Sequence, residues 1–214
     1  MPPTRRSFRH WSPRYLVDRA RDRVYQATHP GDPWLTPAAV QFLSLWLRST
    51  DRGLEFGSGR STLWFARRTQ HLTSIEHAPE WHARVSGRLR ELGILNVDLR
   101  LVEKEPAPAD PSQPPAYAAA AGDLPDSSLD YVLVDGAYRD ACALAGLCKL
   151  KPGGLLILDD AHRYLPSRSI SPYARTLAEG PASPLWGTFL QSVSGWRCLW
   201  TSKGVSDTAV YIRP

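Results

Sequence analysis

The residues best suited to chemistry in this 214-residue chain come directly after short apolar runs of strand length. These runs end in Glu55 to Gly59, Glu76-His77, Glu103-Lys104, Asp135-Gly136 and Asp159-Asp160. In open parallel sheets, ligands bind beyond the carboxyl ends of the strands, so we expect these residues to surround one pocket. A pocket with several acids suits a cationic ligand, a polyhydroxylated ligand or a divalent metal ion.

Residues 53–65 have the pattern of a strand, a tight turn and the start of a helix. Gly57 and Gly59 allow the backbone to approach a ligand where a Cβ atom would collide. A dinucleotide-binding turn would carry a third glycine, but Thr62 stands at that position. Glu55, just before the turn, would repel a pyrophosphate and attract an ammonium group. The turn therefore favours a nucleoside that carries an amino-acid tail and a sulfonium centre.

Glu76 ends the second apolar run, about 20 residues after Gly57. A carboxylate at this position can accept hydrogen bonds from both hydroxyl groups of a ribose. The alternative is that Glu76 is a surface residue that caps the following helix. Its place at the end of a strand favours the ribose-binding role.

The elements that must position these residues alternate between helical and strand patterns. Apolar periodicity and capping residues predict helices at 13–28, 36–47, 60–68, 79–92, 117–121, 140–150 and 185–193. Strands are predicted at 54–56, 72–76, 97–102, 129–135, 155–158, 197–201 and 208–213, with a turn at 151–154. The last two strands are too close in sequence for a parallel crossover, so they must pair antiparallel. This order predicts an α/β fold, a Rossmann-like doubly wound sheet of seven mostly parallel strands with an antiparallel last strand and helices on both faces.

The ordered set of motifs resembles that of class I S-adenosylmethionine-dependent methyltransferases. Leu54-Glu55-Phe56-Gly57-Ser58-Gly59 resembles their first motif, and Ser74-Ile75-Glu76-His77 resembles their second, ribose-binding motif. Residues 129–136 and 150–160 are similar to their later strand motifs. The resemblance covers about residues 36–213 and includes the antiparallel final strand of that fold.

The resemblance implies that the chain binds S-adenosylmethionine and transfers its methyl group. The glycine turn would hold the methionyl part, Glu55 would lie near its amino group, and Glu76 would bind the ribose. The expected cofactor-binding residues are Glu55, Phe56, Gly57, Ser58, Gly59, Ser61, Thr62, Glu76, His77 and Asp135. An NAD(P)-dependent oxidoreductase is the alternative that a glycine turn leaves open, although Glu55 and Thr62 both disfavour it.

Three acids after the fourth and fifth predicted strands bear on the chemistry of the acceptor. Asp135, Asp159 and Asp160 are similar to the metal-binding trio of cation-dependent O-methyltransferases of the catechol and caffeoyl-CoA type, and such oxygen ligands suit Mg²⁺. A metal ion there would hold a substrate hydroxyl and lower its pKa. The sequence departs from that pattern, since Asp160 replaces the usual Asn and Tyr138 replaces the usual lysine.

An interpretation without a metal assigns proton abstraction to a side chain. Asp159 or His162 would then be the general base, and an imidazole titrates near neutral pH. His162 is explained equally well as a loop residue exposed to water. Tyr138 is a further catalytic candidate, because its ring could stack on a flat acceptor. Trp34 and Tyr164 lie in flanking loops, where they would either line an acceptor pocket or pack in the core.

The acceptor is expected to be a small hydroxylated or carboxylated metabolite that is methylated on oxygen. The Asn/Asp-Pro-Pro-aromatic motif of nucleobase amino methylation is absent from the sequence, so nucleic acid is a disfavoured partner. An RNA or peptide acceptor is the alternative, because Arg5, Arg6 and Arg9 make the N-terminus basic and the formal net charge is +5. We divide the chain into a basic N-terminal helical extension at 1–35 and a methyltransferase domain at 36–214.

Composition places the chain among ordinary globular proteins, with 43% hydrophobic and 22% charged residues. The three cysteines lack CxxC spacing, which argues against a disulfide framework or a zinc site. Neither a run of about 18 apolar residues nor an apolar signal segment is present. We therefore expect a cytoplasmic protein that does not enter a membrane, and a homodimer is one assembly that the sequence allows.

Overall fold

The computed structural model describes residues 12–104 and 113–214. The helices are α1 (Pro13–Thr28), α2 (Pro37–Trp46), α3 (Arg60–Ala66), α4 (Pro79–Glu91), α5 (Ala116–Ala119), α6 (Arg139–Leu147) and α7 (Pro184–Ser192). The strands are β1 (Arg52–Phe56), β2 (His71–Glu76), β3 (Val97–Leu101), β4 (Leu129–Val134), β5 (Leu150–Asp159), β6 (Arg197–Ser202) and β7 (Asp207–Ile212). Of the helices in the described ranges, none has the length and apolar character needed to cross a membrane. Arg5, Arg6 and Arg9 lie outside the described residues, as does most of the Pro-rich segment after β3.

The strands form one seven-stranded sheet in the order β3-β2-β1-β4-β5-β7-β6. The first five strands pair in parallel, and β7 lies antiparallel between β5 and β6. The direction of strand order reverses between β1 and β4, and such a switch point opens a crevice outside the carboxyl ends of the strands. The predicted fold class is confirmed, including the antiparallel last strand. A dinucleotide-binding sheet of the order 3-2-1-4-5-6 has no strand inserted as β7 is here.

Alternate side chains of the central strands enter two cores, one on each face of the sheet. Val132 and Val134 of β4 join the core that α5, α6 and α7 cover. Tyr131 and Leu133 join the core that α2 and α3 cover. Because β4 is buried on both faces, its sequence is almost continuously apolar.

Backbone hydrogen bonds bring the ends of three neighbouring strands to a common level. The Gly57 N–H donates to the Ile75 carbonyl at 2.8 Å, and the Asp135 N–H donates to the Phe56 carbonyl at 2.9 Å. The residues that follow β1, β2 and β4 therefore face one another across the crevice.

Strand β5 is longer than the sequence predicted. It begins at Leu150, opposite Leu129, and includes residues 151–154, for which the sequence predicted a turn. The pairing with β4 is irregular at this point, and Gly153 has a φ of +79°. The Gly153 N–H donates to the Arg213 carbonyl at 2.8 Å. The glycine therefore adopts the backbone conformation of an irregular point within a strand that continues past it.

Helix α1 confirms the helix predicted at 13–28, but its apolar face does not pack as expected. None of its residues is buried, and Leu16 and Val24 are 51% and 62% exposed. Polar side chains hold the helix instead, and the Tyr25 hydroxyl donates to Asp32 Oδ2 at 2.6 Å. The predicted division of the chain at residue 35 stays a prediction.

Candidate functional site

The glycine turn between β1 and α3 brings the backbone close to the end of β4. Gly57 has a φ of +96°, a conformation that residues with a Cβ atom rarely adopt. A Cβ atom on Gly57 would lie 2.7 Å from the backbone nitrogen of Gly136. A Cβ atom on Gly136 would collide with the Tyr117 hydroxyl. Glycine is therefore required on both sides of this contact.

Glu55 lies beneath the turn and connects it to β2. Its Oε2 accepts hydrogen bonds from the Thr62 hydroxyl at 2.6 Å and from the Ser74 hydroxyl at 2.7 Å. The Thr62 hydroxyl also accepts from the Gly59 N–H at 2.8 Å, which caps the first turn of α3. Glu55 is 0% exposed. Glu55 thus lies behind the turn, and the place near the amino group of the cofactor that the resemblance implied for it stays a prediction.

Burial raises the pKa of Glu55 to about 7, although the hydroxyl groups of Ser61, Thr62 and Ser74 act in the opposite direction. The second carboxyl oxygen, Oε1, is buried without a hydrogen-bond partner among the described residues. A carboxyl with this pKa is partly protonated at neutral pH, so it attracts an ammonium group less strongly than an ionised carboxylate does.

Glu76 lies at the end of β2 with both carboxylate oxygens engaged. Oε2 accepts from the backbone N–H and from the hydroxyl of Ser58, each at 2.8 Å. Oε1 accepts from the N–H groups of His77 and Ala78, at 2.8 and 2.9 Å. These four donors fill the acceptor capacity of a carboxylate, so a ribose hydroxyl would have to replace the Ser58 hydroxyl. The ribose-binding role of Glu76 stays a prediction.

A cavity of about 480 Å³ opens beside the turn, at the carboxyl ends of β1, β2 and β4. We call it the glycine-turn cavity. Its volume lies within the range of about 300–1,000 Å³ that is usual for small-molecule sites. Seven of the predicted cofactor-binding residues line it, namely Gly57, Ser58, Gly59, Ser61, Glu76, His77 and Asp135.

Three of the predicted cofactor-binding residues lie behind this cavity. Glu55, Phe56 and Thr62 are all fully buried. The Phe56 ring packs against Tyr117 in the core, with the ring centroids 5.8 Å apart. These residues shape the turn from below, and direct contact with a ligand is not supported for them.

Trp81 is a residue of the glycine-turn cavity that the sequence assigned only to the apolar face of a helix. Its indole N–H donates to the Ser58 carbonyl at 2.5 Å. A Cβ atom on Gly59 would lie 3.7 Å from the indole nitrogen, so the ring stands against the turn. Its position in the first turn of α4, shortly after Glu76, is the signal that could have identified it.

A second cavity of about 460 Å³ lies between α1 and the end of β5. We call it the α1 cavity. Asp159 and Asp160 at the end of β5 and Lys203 in the turn before β7 line it together with side chains of α1. Trp34 is 55% exposed and lines both cavities, so the two adjoin at this side chain. That Trp34 lines an acceptor pocket stays a prediction.

Asp159 is a buried carboxyl at the edge of the α1 cavity. Its Oδ1 accepts from the Thr208 hydroxyl at 3.1 Å. Burial, followed by the carboxylates of Asp135 and Asp160, raises the pKa of Asp159 to about 8. Burial also raises the pKa of Asp135, against the effect of the Arg139 charge. With that pKa the Asp159 carboxyl is mostly protonated at neutral pH, and its ionised form, which dominates above about pH 8, can accept a proton from a hydroxyl group.

The Arg139 guanidinium ties the ends of β4 and β5 together. Its Nη2 donates to Asp135 Oδ1 at 2.7 Å and to the Asp135 carbonyl at 2.9 Å. Its Nη1 donates to the Asp159 carbonyl at 2.6 Å, and its Nε donates to the Gly136 carbonyl at 3.2 Å. We call this arrangement the Arg139 clamp. Sequence patterns did not indicate a role for Arg139, because its partners follow two strands that are distant in sequence.

The predicted metal site of Asp135, Asp159 and Asp160 is not formed. Arg139 holds one oxygen of Asp135, and Asp160 Oδ2 lies 3.4 Å from Arg163 Nε. Within residues 12–104 and 113–214, no three His, Cys, Asp or Glu side chains are grouped so that they could hold a metal ion. The donor set does not fit Mg²⁺, because a guanidinium already neutralises the carboxylate that should bind it.

His162 is buried with both ring nitrogens hydrogen-bonded, so its role as a general base stays a prediction that this geometry does not support. Its Nδ1 accepts from the Asp207 N–H at 3.3 Å, which leaves the ring proton on Nε2, and Nε2 donates to the Pro172 carbonyl at 3.1 Å. Burial lowers the pKa of His162, so the imidazole is neutral. The residue is 0% exposed, so the alternative interpretation of His162 as a loop residue exposed to water is wrong.

Tyr138 and Tyr164 lie beside the two cavities without lining either of them. Tyr138 precedes α6 with a φ of +45°, and the Lys104 ammonium lies 5.2 Å from its ring centroid. Tyr164 stacks on Trp186 with the ring centroids 5.5 Å apart, which agrees with a packing role. The catalytic role of Tyr138 stays a prediction that this geometry does not support.

The chain was compared with protein families, curated proteins and solved structures, and similar folds were found only among the solved structures. No protein-family model matches the chain, and no curated protein matches it. The chain is similar to a methyltransferase-like protein from Silicibacter pomeroyi, with 20% identity and a TM-score of 0.58 over 86% of this chain and 89% of that one. It is also similar to a putative caffeoyl-CoA O-methyltransferase from Staphylococcus aureus, with 16% identity and a TM-score of 0.57 over 97% and 95% of the two chains. A putative methyltransferase from Streptococcus mutans, solved in complex with SAH, shows 11% identity and a TM-score of 0.53 over 84% and 98%.

These likenesses show the fold, which is the α/β fold of class I methyltransferases. Residues 54–59, 74–77, 129–136 and 150–160, which resemble motifs of that family, lie in or directly after β1, β2, β4 and β5. At these levels of identity the reaction and the acceptor do not follow from fold alone.

Proposed function

We propose that the protein is an S-adenosylmethionine-dependent methyltransferase that methylates an oxygen of a small hydroxylated or carboxylated metabolite. The glycine-turn cavity carries the proposal, because it lies at the switch point of a methyltransferase fold and is bordered by Gly57 and Glu76. The antiparallel insertion of β7 is a reason to disfavour the nicotinamide oxidoreductase alternative.

The residues around the glycine-turn cavity fit this cofactor. Gly57 and Gly136 let the glycine turn and the end of β4 pack backbone against backbone, and this contact forms part of the cavity lining. The Glu76 carboxylate would accept a ribose hydroxyl in place of the Ser58 hydroxyl, and the rings of His77 and Trp81 offer flat surfaces to a nucleoside. When bound, S-adenosylmethionine supplies a methyl group on a positively charged sulfur, so the protein needs chiefly to align the acceptor with it.

The chain itself supplies a proton acceptor and a wall for the acceptor molecule. Asp159 lies in the α1 cavity, which adjoins the glycine-turn cavity at Trp34. Its carboxylate accepts the proton of the acceptor hydroxyl, and its raised pKa suits that task. The Arg139 clamp fixes the end of the strand that carries Asp159.

Titration calorimetry with S-adenosylhomocysteine and, separately, with NAD tests the proposal. We expect the wild-type protein to bind the thioether and not the dinucleotide. Glu76→Gln should weaken thioether binding by about tenfold or more, since hydrogen bonds to a charged group contribute about 1.5–3 kcal/mol. Glu80→Gln, an exposed change in the first turn of α4, is the matched control. Absence of thioether binding in the wild type would refute the proposed function.

An RNA or peptide acceptor is the second candidate, and the basic N-terminus is its only support. Deletion of residues 1–11 tests it and leaves Ser12, whose hydroxyl accepts from the Tyr15 N–H at 3.2 Å and caps α1. RNA affinity that disappears with this segment, while S-adenosylhomocysteine affinity is unchanged, would favour the second candidate.

A further inference from the structure

Helix α1 forms a wall of the α1 cavity with one face. Arg19, Asp22, Arg23 and Gln26 are spaced three or four residues apart, and all four line the cavity. No residue of α1 is buried, so the helix contributes these polar side chains without adding to the core.

Positive charge exceeds negative charge on this wall. Asp22 Oδ2 lies 3.7 Å from Arg19 Nη1, and Asp22 Oδ1 lies 3.1 Å from Lys203 Nζ, so two cations share one carboxylate. Arg23 forms no ion pair with any residue in the described ranges, and its guanidinium is always charged. Arg23 is also exposed, so its guanidinium is available to an anion that enters the cavity.

Gln26 provides an unused hydrogen-bond donor at the same place. Its Oε1 accepts from Arg60 Nη1 at 2.8 Å, which turns the amide nitrogen away from that contact. The nitrogen Nε2 is buried and has no partner among the described residues. Buried polar atoms are nearly always hydrogen-bonded in native proteins, so this donor is free to pair with an oxygen that comes within reach of it.

We propose that the methyl acceptor is a small hydroxylated acid whose oxyanion, a carboxylate or a phosphate, is bound by Arg23 and Gln26 of α1. This inference rests on the proposed function, because that function makes the α1 cavity the acceptor site. A guanidinium and an amide N–H₂ group are donors that complement oxyanion oxygens. The hydroxyl group of the same molecule then lies toward Asp159, at the opposite side of the cavity.

Other acceptor classes fit this wall less well. A cationic acceptor would be repelled by Arg23, and a neutral polyol would gain no charge-assisted hydrogen bond from it. On the far side of the cavity, Asp160 is already paired with Arg163 at 3.4 Å, so it is not free to hold a cation.

Anion titration of the full-length protein saturated with S-adenosylhomocysteine tests the inference. Inorganic phosphate and acetate are titrated separately at an ionic strength fixed with sodium chloride, and heat is measured. We expect saturable binding of one of them, and the tighter anion distinguishes a phosphate from a carboxylate acceptor.

Arg23→Gln should weaken this binding by about tenfold or more. Gln26→Glu should weaken it as well, since it keeps an acceptor for Arg60 but replaces the unused donor with a negative charge.

Arg21→Gln is the matched control on the same helix. Arg21 lies 3.5 Å from Asp18 and lines a separate cavity of about 920 Å³, so its loss should not change anion binding. Equal losses in the Arg21 and Arg23 variants, or no saturable binding of either anion, would overturn the inference. Tighter, Arg23-dependent binding of an RNA oligonucleotide would overturn the small-molecule class. Failure of S-adenosylhomocysteine to bind at the outset refutes the proposed function instead, so the two failures are distinguishable.

Discussion

Replacement of Glu55 by Gln should remove a pH dependence from the stability of the protein. The pKa of Glu55 is raised to about 7 in the folded protein, from a usual value of 4.5. Between these two values the folded state holds a proton that the unfolded state releases. The contribution to stability is therefore present below about pH 4.5 and is lost as the pH rises to about 7. Because one pKa unit corresponds to about 1.4 kcal/mol, the loss amounts to about 3 kcal/mol.

The difference in unfolding free energy between the wild type and Glu55→Gln isolates this contribution. A glutamine keeps an oxygen that can accept from the hydroxyls of Thr62 and Ser74, but it does not titrate. Urea unfolding followed by circular dichroism, from about pH 5 to about pH 8.5, gives this difference at each pH. Other groups whose pKa changes on folding, such as Asp159, cancel in the comparison.

We expect the stability of the wild type to fall relative to the variant by about 2.5 kcal/mol across this range, since part of the total is already lost at pH 5. Glu80→Gln, an exposed substitution, should show a difference that does not change with pH. A Glu55→Gln difference that is equally flat would mean that Glu55 is ionised throughout. The account of Glu55 as a largely desolvated carboxyl beneath the glycine turn would then be refuted.

Gly57→Ala should abolish S-adenosylhomocysteine binding, since its Cβ would lie 2.7 Å from a backbone nitrogen, whereas Gly87→Ala, in an open helical position, should bind normally in calorimetry. Asp159→Asn should lower kcat by about 10²–10⁴-fold, and the wild-type kcat/KM should rise with pH through about 8, where that carboxyl loses its proton. The kcat of the variant and the pH dependence of the wild type are both measured as methyl transfer to a hydroxylated acid. An unchanged rate in Asp159→Asn would exclude Asp159 as the base. His162→Asn should destabilise the fold by about 1–3 kcal/mol but keep kcat per folded molecule, because the ring is used only by backbone groups. Methyl transfer should persist in EDTA, because Arg139 and not a metal ion neutralises the carboxylate at the end of β4; loss of activity that Mg²⁺ restores would contradict this.

Local patterns were sufficient to predict the strands, the glycine turn and the fold class. Short apolar runs followed by acids or glycines depend on neighbouring residues only, and they marked the ends of β1, β2, β4 and β5 correctly. The sequence also indicated that Glu55 and Thr62 both depart from a dinucleotide pattern. In the structure the Thr62 hydroxyl donates a hydrogen bond to Glu55 at 2.6 Å, and the spacing of the two residues in the sequence did not predict this contact.

The parts that the sequence did not predict depend on contacts between distant segments. His162 is buried because Pro172 and Asp207, from a following loop and from β7, take both ring nitrogens. The apolar periodicity of α1 predicted one face of the helix correctly but not that this face would be exposed, since periodicity does not state what a helix packs against. Arg23 and Gln26 carried no signal either, because the cavity they line is completed by residues far along the chain.

The Arg139 clamp affects how this protein would respond to its surroundings. A divalent ion at the ends of β4 and β5 would exchange with the medium, and its occupancy would follow the free concentration of that ion. The guanidinium is covalently part of the chain, remains charged at every physiological pH and reaches carbonyl groups on both strands. The positive charge at this junction is thus fixed when the chain is synthesised, which insulates the site from fluctuations in cellular magnesium and from competing metals.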